Sequence, residues 1–284
     1  MSDRFSNTLF FHVRHGRTEA NAEKIYRSWS NDRKAQLSDD GRRDAEEAGE
    51  FLLSTGVPVE LIIADSLDRT QETSEILASV LDVENLQFVR ALHPLNMGDY
   101  TLESKEEHPV DAFIEHPERQ IPGGESVDDF NARMMVVFPK IIALTETLPG
   151  GRIVVVGHGS TVSFLHNQMF NGGQPRIGYE GLVDPGGVIS VTEDGLLPLT
   201  KVRGKLNQKT PNEKLTAREA GYMELDGAEK DAGCLKVFVP GGVSGDLGCC
   251  NLFEPKDEQV TRFRCGDCEY LTEGADGSDR EADA

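Results

Sequence analysis

Two histidines and two arginines stand where strand-like runs of the chain end. Val13-Arg14-His15-Gly16-Arg17-Thr18-Glu19-Ala20-Asn21 follows directly on an apolar run that begins at Leu9. Ala64-Asp65-Ser66-Leu67-Asp68-Arg69-Thr70 is a second apolar run passing into a helix-like pattern, and Val154-Val155-Val156-Gly157-His158-Gly159 is a third. In open α/β sheets ligands bind outside the carboxyl ends of the strands, so Arg14, His15, Arg69 and His158 are brought to one edge. A neutral imidazole is a nucleophile, and a guanidinium grips phosphoryl oxygens through a planar fork. The set therefore suits phosphoryl chemistry, with Gly16 letting the backbone turn closely around a bound group.

The elements that position these residues alternate along the first two hundred positions, which predicts an α/β domain with a largely parallel sheet. Strands are expected at Leu9 to Val13, Leu61 to Ala64, Gln87 to Val89, Ile153 to Val156 and Val188 to Val191. Ser38 or Asp39 can cap a helix with Ala45, Ala48, Phe51 and Leu52 on one face, and the stretch from Asp68 to Leu81 repeats the pattern with Thr73, Ile76, Leu77 and Val80. Val127, Phe130, Met134, Val137 and Ile141 share a helical face, although Pro139 predicts a kink or break there. A last helix from Val162 to Phe170 aims its amides beside His158. His12 reads as a packed or edge histidine, whereas His108, His116 and His166 read as surface residues. Arg17 reads as a solvated charge, and Trp29 as either packing or substrate contact.

The chain has 284 residues, enough for one substantial core and a small accessory module. A catalytic domain over 1–203 is expected, then a polar linker over 204–222, a cysteine-rich module over 223–270 and an acidic, disordered tail over 271–284. The net charge of −20 excludes nucleic acid as a partner, since the average surface repels phosphates. No apolar run is long enough to span a bilayer, and Met1-Ser2-Asp3-Arg4 leads straight into a strand, so a cytoplasmic protein without membrane contact is expected.

On these ordered motifs the sequence resembles the histidine phosphatase superfamily, the phosphoglycerate-mutase-like proteins, over roughly residues 8 to 195. Arg14, His15, Gly16, Thr18 and Asn21 resemble its opening motif, Leu37-Ser38, Gly41 and Ala45 its following helix entry, and Ser66 to Thr70 its second-arginine motif. Pro122-Gly123-Gly124-Glu125-Ser126 resembles a segment of its phosphatase members, and Val156, His158 and Gly159 its second-histidine motif. The resemblance implies a three-layer α/β/α sandwich around a mostly parallel sheet. It also implies that His15 forms a phosphohistidine while Arg14, Arg69 and a protonated His158 cage the phosphoryl group. Asn21, Thr18 and Gly159 are then substrate-binding candidates, and catalysis needs no cofactor.

One departure bears on the substrate. Family members commonly carry a proton-donating Glu or Asp after the third strand, and here the register against Gly98-Asp99 puts Pro94 at that position. His93, Asp99 and Glu103 are the nearby substitutes, each of which also reads as a solvated loop residue. Proton transfer to a leaving group is typically worth about 100- to 10,000-fold, so a site without an acid favours leaving groups that depart easily. Phosphoanhydrides, aryl phosphates and phosphohistidine fit, whether the substrate is a phosphorylated small molecule or a phosphoprotein. A phosphoglycerate-type mutase and a catalytically weak phosphate-binding scaffold are the alternatives.

The five cysteines all fall after position 233. Cys265-Gly266-Asp267-Cys268 is a two-spacer pair typical of metal ligation, which Cys250 or its neighbour Cys249, together with Cys234, can complete as a tetrahedral zinc site. An iron-sulfur cluster and reduced thiols in a loose tail are the other readings. A protein partner for this module is also open.

Overall fold

The computed structural model describes residues 5–148, 150–170 and 182–202, together with two short strands further on. Six strands form one sheet in the order β3-β2-β4-β1-β5-β6. These are β1 (Thr8–Arg14), β2 (Val59–Ala64), β3 (Leu86–Phe88), β4 (Arg152–Gly157), β5 (Val183–Thr192) and β6 (Gly195–Val202). The first four run parallel, while β5 and β6 add an antiparallel hairpin beside β1. The five expected strands are present; β6 was not foreseen, because Leu196, Leu197 and Leu199 flank a proline that argues against a strand.

Side chains alternate across the sheet and build two cores. Phe10, Ile63, Ile153, Val155 and Ile189 pack on one face with Met134, Phe138, Phe164 and Leu165, which belong to α5 (Val127–Thr145) and α6 (Gly159–Phe170). Phe11, Val13, Ile62, Val154 and Val156 pack on the other with Ala48, Leu52 and Leu77 of α2 (Asp39–Ser54) and α3 (Asp68–Leu81). Buried on both faces, the central strand β4 is apolar from Ile153 to Val156. Two short helices, α1 (Glu19–Ala22) and α4 (Asp111–Glu115), lie in the connections.

Two sequence expectations are corrected here. Helix α5 is not interrupted at Pro139, because Met134, Val137, Phe138 and Ile141 are all buried around it and outweigh the ~3 kcal/mol that an interior proline typically costs. His166 is fully buried rather than on the surface, because α6 lies between α5 and strands β1, β5 and β6 and has no exposed residue. His108 is half-buried and stacks on Tyr100 at 4.2 Å, whereas His116 is exposed.

Strands β7 (Lys236–Phe238) and β8 (Ser244–Asp246) pair antiparallel within the span expected to be cysteine-rich. Cys234, Cys250, Cys265 and Cys268 lie outside the described residues, as do the linker and the tail. No helix among the described residues is long and apolar enough to cross a membrane.

Candidate active site

The site follows from sheet register. β4 lies between β1 and β2, with Arg14 opposite Gly157 and Ala64 opposite Val156. The next residues of the three strands, His15, His158 and Asp65, therefore emerge side by side, and the His15 amide donates to the Gly157 carbonyl at 2.9 Å. The two imidazole rings lie 5.2 Å apart. Gly16 also serves a packing role. A Cβ there would meet the Gly41 carbonyl oxygen at 2.0 Å, so its bareness lets the loop touch the first turn of α2. Ser38 caps that turn, accepting from the Gly41 amide and donating to the Arg17 carbonyl.

His15 is completely buried. Its Nδ1 lies 2.7 Å from the Gly16 carbonyl oxygen, and a carbonyl only accepts, so Nδ1 carries the proton and Nε2 the lone pair. Nε2 has no hydrogen-bond partner among the described residues. Burial holds the imidazole well below its ordinary protonation range, and the charges of Arg27, His158, Arg69 and Arg14 push it further down. At pH 7 the ring is a neutral base with its free nitrogen among cations.

His158 is held from behind. Its Nε2 bonds the carboxylate of Asp65, whose other oxygen accepts from the Leu67 amide at 2.8 Å and from the Thr70 hydroxyl. Burial would raise the Asp65 carboxyl, but His158, His93 and Arg69 outweigh it and lower it to about 2. His158 itself is pushed down to about 4 by burial, despite Asp65. Burial thus favours the neutral ring as the residues stand, against the pull of Asp65 toward the imidazolium that the resemblance implies. The protonated form needs added negative charge nearby, and a phosphoryl group brings it. Asp65 then faces the imidazolium.

The arginines are fixed by carbonyls. Arg14 donates to Val183 O at 2.5 Å, and Arg69 to Ser28 O at 2.7 Å and Ser30 O at 3.1 Å. Burial lowers Arg69 to about 10, which leaves it charged at pH 7. Arg27 joins them: it is buried, donates to Thr18 Oγ1 at 3.3 Å, and is the first charge felt by His15. Sequence reasoning missed Arg27 and the role of Asp65. Asp65 stands one residue before the second-arginine motif, but Arg27 sits in a loop with no periodicity. The chain folds that loop back, pairing Tyr26 with Leu102 and Glu103 through backbone hydrogen bonds.

A small cavity of about 50 Å³ adjoins these groups. Arg27, Ser28, Arg69, His158, Gly159 and Ser160 line part of it, and the rest comes from Tyr26, Pro94, Leu95, Met97 and Val110. Gly159 is thus at the site. Thr18 and Asn21 line a second, wider depression together with Arg14 and the carboxylates of Glu19, Asp40, Glu106 and Asp184. The side-chain oxygen Oδ1 of Asn21 accepts from both the amide and the hydroxyl of Thr18, so these residues also cap α1. Arg17 is half-exposed and paired with Asp44 and Asp40.

No carboxylate lines the small cavity among the described residues, and Pro94, at the position that the resemblance assigns to the acid, does. Asp99 is exposed and abuts Gly123. Glu103 is exposed and gathers with Glu107 and His108, their ligand atoms within 4.8 Å of one another, the grouping among the described residues that could hold a metal ion. His93 is buried beside the site, with Nε2 3.0 Å from Ser66 Oγ and its ring edge-on to Trp29. Neither Asp99 nor Glu103 is thus at the cavity; both follow Gly98, whose backbone hugs Pro122 and Gly124 and leads the chain away.

The sequence model of the histidine phosphatase superfamily, branch 1, matches residues 10–195, and the chain belongs to that family. It is 28% identical over 170 residues to the 2,3-bisphosphoglycerate-dependent phosphoglycerate mutase of Parvibaculum lavamentivorans, covering 55% of this chain and 77% of that protein. The enzyme of the same name from Azorhizobium caulinodans is 29% identical over 166 residues, 54% of this chain and 77% of that one. Among solved structures, a mycobacterial glucosyl-3-phosphoglycerate phosphatase complexed with VO3 superposes with a TM-score of 0.52 at 22% identity, over 63% of this chain and 88% of that one. The α-ribazole phosphatase of Shigella flexneri gives 0.50 at 19% identity, over 71% and 99%. These structures share the fold.

Proposed function

We propose that the protein is a phosphohydrolase that works through a phosphohistidine on His15 and acts on phosphate compounds whose leaving group departs without a proton. The observation that carries this reading is the bare, neutral Nε2 of His15 among Arg14, Arg27 and Arg69, beside the smaller of two hollows, which no carboxylate of the described residues lines; Glu19, Asp40, Glu106 and Asp184 line the wider one. Nε2 attacks phosphorus in line while the arginines and His158 stabilise charge on the equatorial oxygens, an electrostatic contribution of typically ~3 to 4 kcal/mol per lost donor. Water then attacks the phosphohistidine and releases phosphate. The phosphorylated substrate is a small molecule or a phosphoprotein met in the cytoplasm. Similarity to the bisphosphoglycerate-dependent mutases supports a second reading, phosphoryl transfer between glycerate positions, which would appear as exchange without net phosphate release.

A series of phosphate compounds graded by leaving-group basicity tests the proposal. Turnover should fall steeply as the leaving oxygen becomes more basic, and His15→Ala should abolish it. Alkyl phosphates hydrolysed as fast as activated ones would contradict it.

A further inference from the structure

Part of the cavity wall is wholly apolar. Pro94, Leu95 and Met97 come from one loop and Val110 from the start of α4, with the ring of Tyr26 beside them. This stretch of wall is firmly held. Arg133 donates to the carbonyls of Ala91 at 2.7 Å, His93 at 2.8 Å and Pro94 at 3.3 Å, and bonds Glu125 Oε1 at 2.6 Å. Glu125 in turn accepts from the Asn96 amide at 2.8 Å, the Trp29 indole donates to the Pro94 carbonyl at 2.8 Å, and the Met97 amide donates to Ser28 Oγ at 2.9 Å. Val110 is the one lining residue that is not buried, so the cavity opens on its side.

Resting on the phosphohydrolase reading, we infer that the substrates are aryl phosphates, the phosphate monoesters of phenols, with the phosphoryl group among the cations of the small cavity and the ring lying across its open side against Val110, toward Leu95 and Met97. A phenol of the tyrosine kind gives up its proton at a pH of about 10, whereas water and simple alcohols hold theirs to about 15.7, so a phenolate leaves without the missing acid. An anhydride would leave as easily, but the small acyl group of an acyl phosphate covers little of this surface, and a polyphosphate brings charge to it before the bond breaks as well as after. Pro94, Leu95 and Met97 offer such a group neither a cation nor a hydrogen bond, and burying unpaired charge is unfavourable. A flat apolar ring gains from the same surface.

The step balances without a co-reactant. The P–O(aryl) bond breaks as the N–P bond to Nε2 forms, and the phenolate keeps the electron pair and takes a proton from solvent. Water then attacks phosphorus, the N–P pair returns to Nε2, and phosphate leaves with one proton released. The net reaction is aryl phosphate plus water giving phenol plus phosphate.

The test compares kcat/KM of the full-length protein for phenyl phosphate, a phosphotyrosyl peptide and acetyl phosphate, with His15→Ala as the control. One or both aryl substrates should exceed acetyl phosphate, although acetate is the less basic leaving group; the better of the two shows whether the ring is met free or within a protein. Val110→Asp should lower the ratio of aryl to acetyl turnover by ~10-fold, and the milder Val110→Ser should lower it in the same direction. Acetyl phosphate preferred over both aryl compounds, or a ratio unchanged in a folded Val110 variant, overturns the aryl assignment and leaves the phosphohydrolase standing. No His15-dependent turnover of any of the three overturns both.

Discussion

His15 owes its nucleophilic nitrogen to one hydrogen bond and one environment. The Gly16 carbonyl takes the proton on Nδ1, and burial among arginines keeps Nε2 free of one. Arg14, His15, Arg69 and His158 were legible because each follows an apolar run that had to be a strand, and strand ends meet at one edge. Arg27 was not, since its place depends on where Leu102 and Glu103 fold. Asp65 stood in plain view but reads like any helix-leading aspartate until its bond to His158 is seen. That bond yields a prediction. Asp65→Asn keeps the shape but withdraws the charge behind His158, so kcat should drop about 10²- to 10³-fold, the typical cost of one misplaced donor, with KM little changed. Steady-state kinetics of the folded variant check this; a rise confined to KM would place Asp65 in binding alone.

At the scale of elements, register does the positioning. Pairing Arg14 with Gly157 and Ala64 with Val156 sets the three loops of the candidate site level, and a slip of one residue would turn each side chain to the opposite face. The central strands and the capped helices α2 and α3 were readable from periodicity and Ser38. The continuity of α5 and the burial of α6 were not, because tertiary packing overrides both the proline penalty and the polarity of His166. His12 shows what such burial costs. It sits in β1 with Nε2 2.8 Å from Thr161 Oγ1, and burial first, then His158 and Arg14, lower it to about 3. The unfolded chain binds this proton near pH 6.5 and the folded one does not, so between about pH 3 and 6.5 folding excludes a proton and stability falls as pH falls. His158, lowered to about 4, adds to the same trend. Replacing His12 with Gln should flatten the dependence by up to about 1.4 kcal/mol per pH unit in that window. Denaturant titrations at pH 4.5, 5.5 and 7 read this, and an unchanged slope would mean that His12 is charged in the fold.

For the molecule as a whole, a cationic site sits inside an acidic chain. A charge of −20 matters little at the cavity, since exposed charges are screened beyond about 8 to 10 Å. The family and its α/β architecture were legible because several motifs occur in the right order; the wall of the cavity was not, because Tyr26, the 94–97 loop and Val110 converge only in three dimensions. The cysteines belong to a separate part of the account. We propose a zinc held by Cys234, Cys250, Cys265 and Cys268 that stabilises the C-terminal part and takes no share in phosphoryl transfer. Elemental analysis of the full chain should find about one zinc, and stripping it with a chelator should leave initial turnover unchanged while lowering thermal stability. Turnover that collapses on chelation and returns with metal would put a metal ion in the catalytic step.

The central claim is a covalent phosphoryl group on Nε2 of His15. Rapid quenching of the protein with an activated aryl phosphate, followed by peptide mass spectrometry under alkaline conditions that spare phosphohistidine, tests it most directly. The account predicts one phosphoryl group on the peptide bearing His15, formed and lost at rates matching turnover and absent in His15→Ala. A phosphoryl group on another residue, or full hydrolysis by His15→Ala, would contradict it.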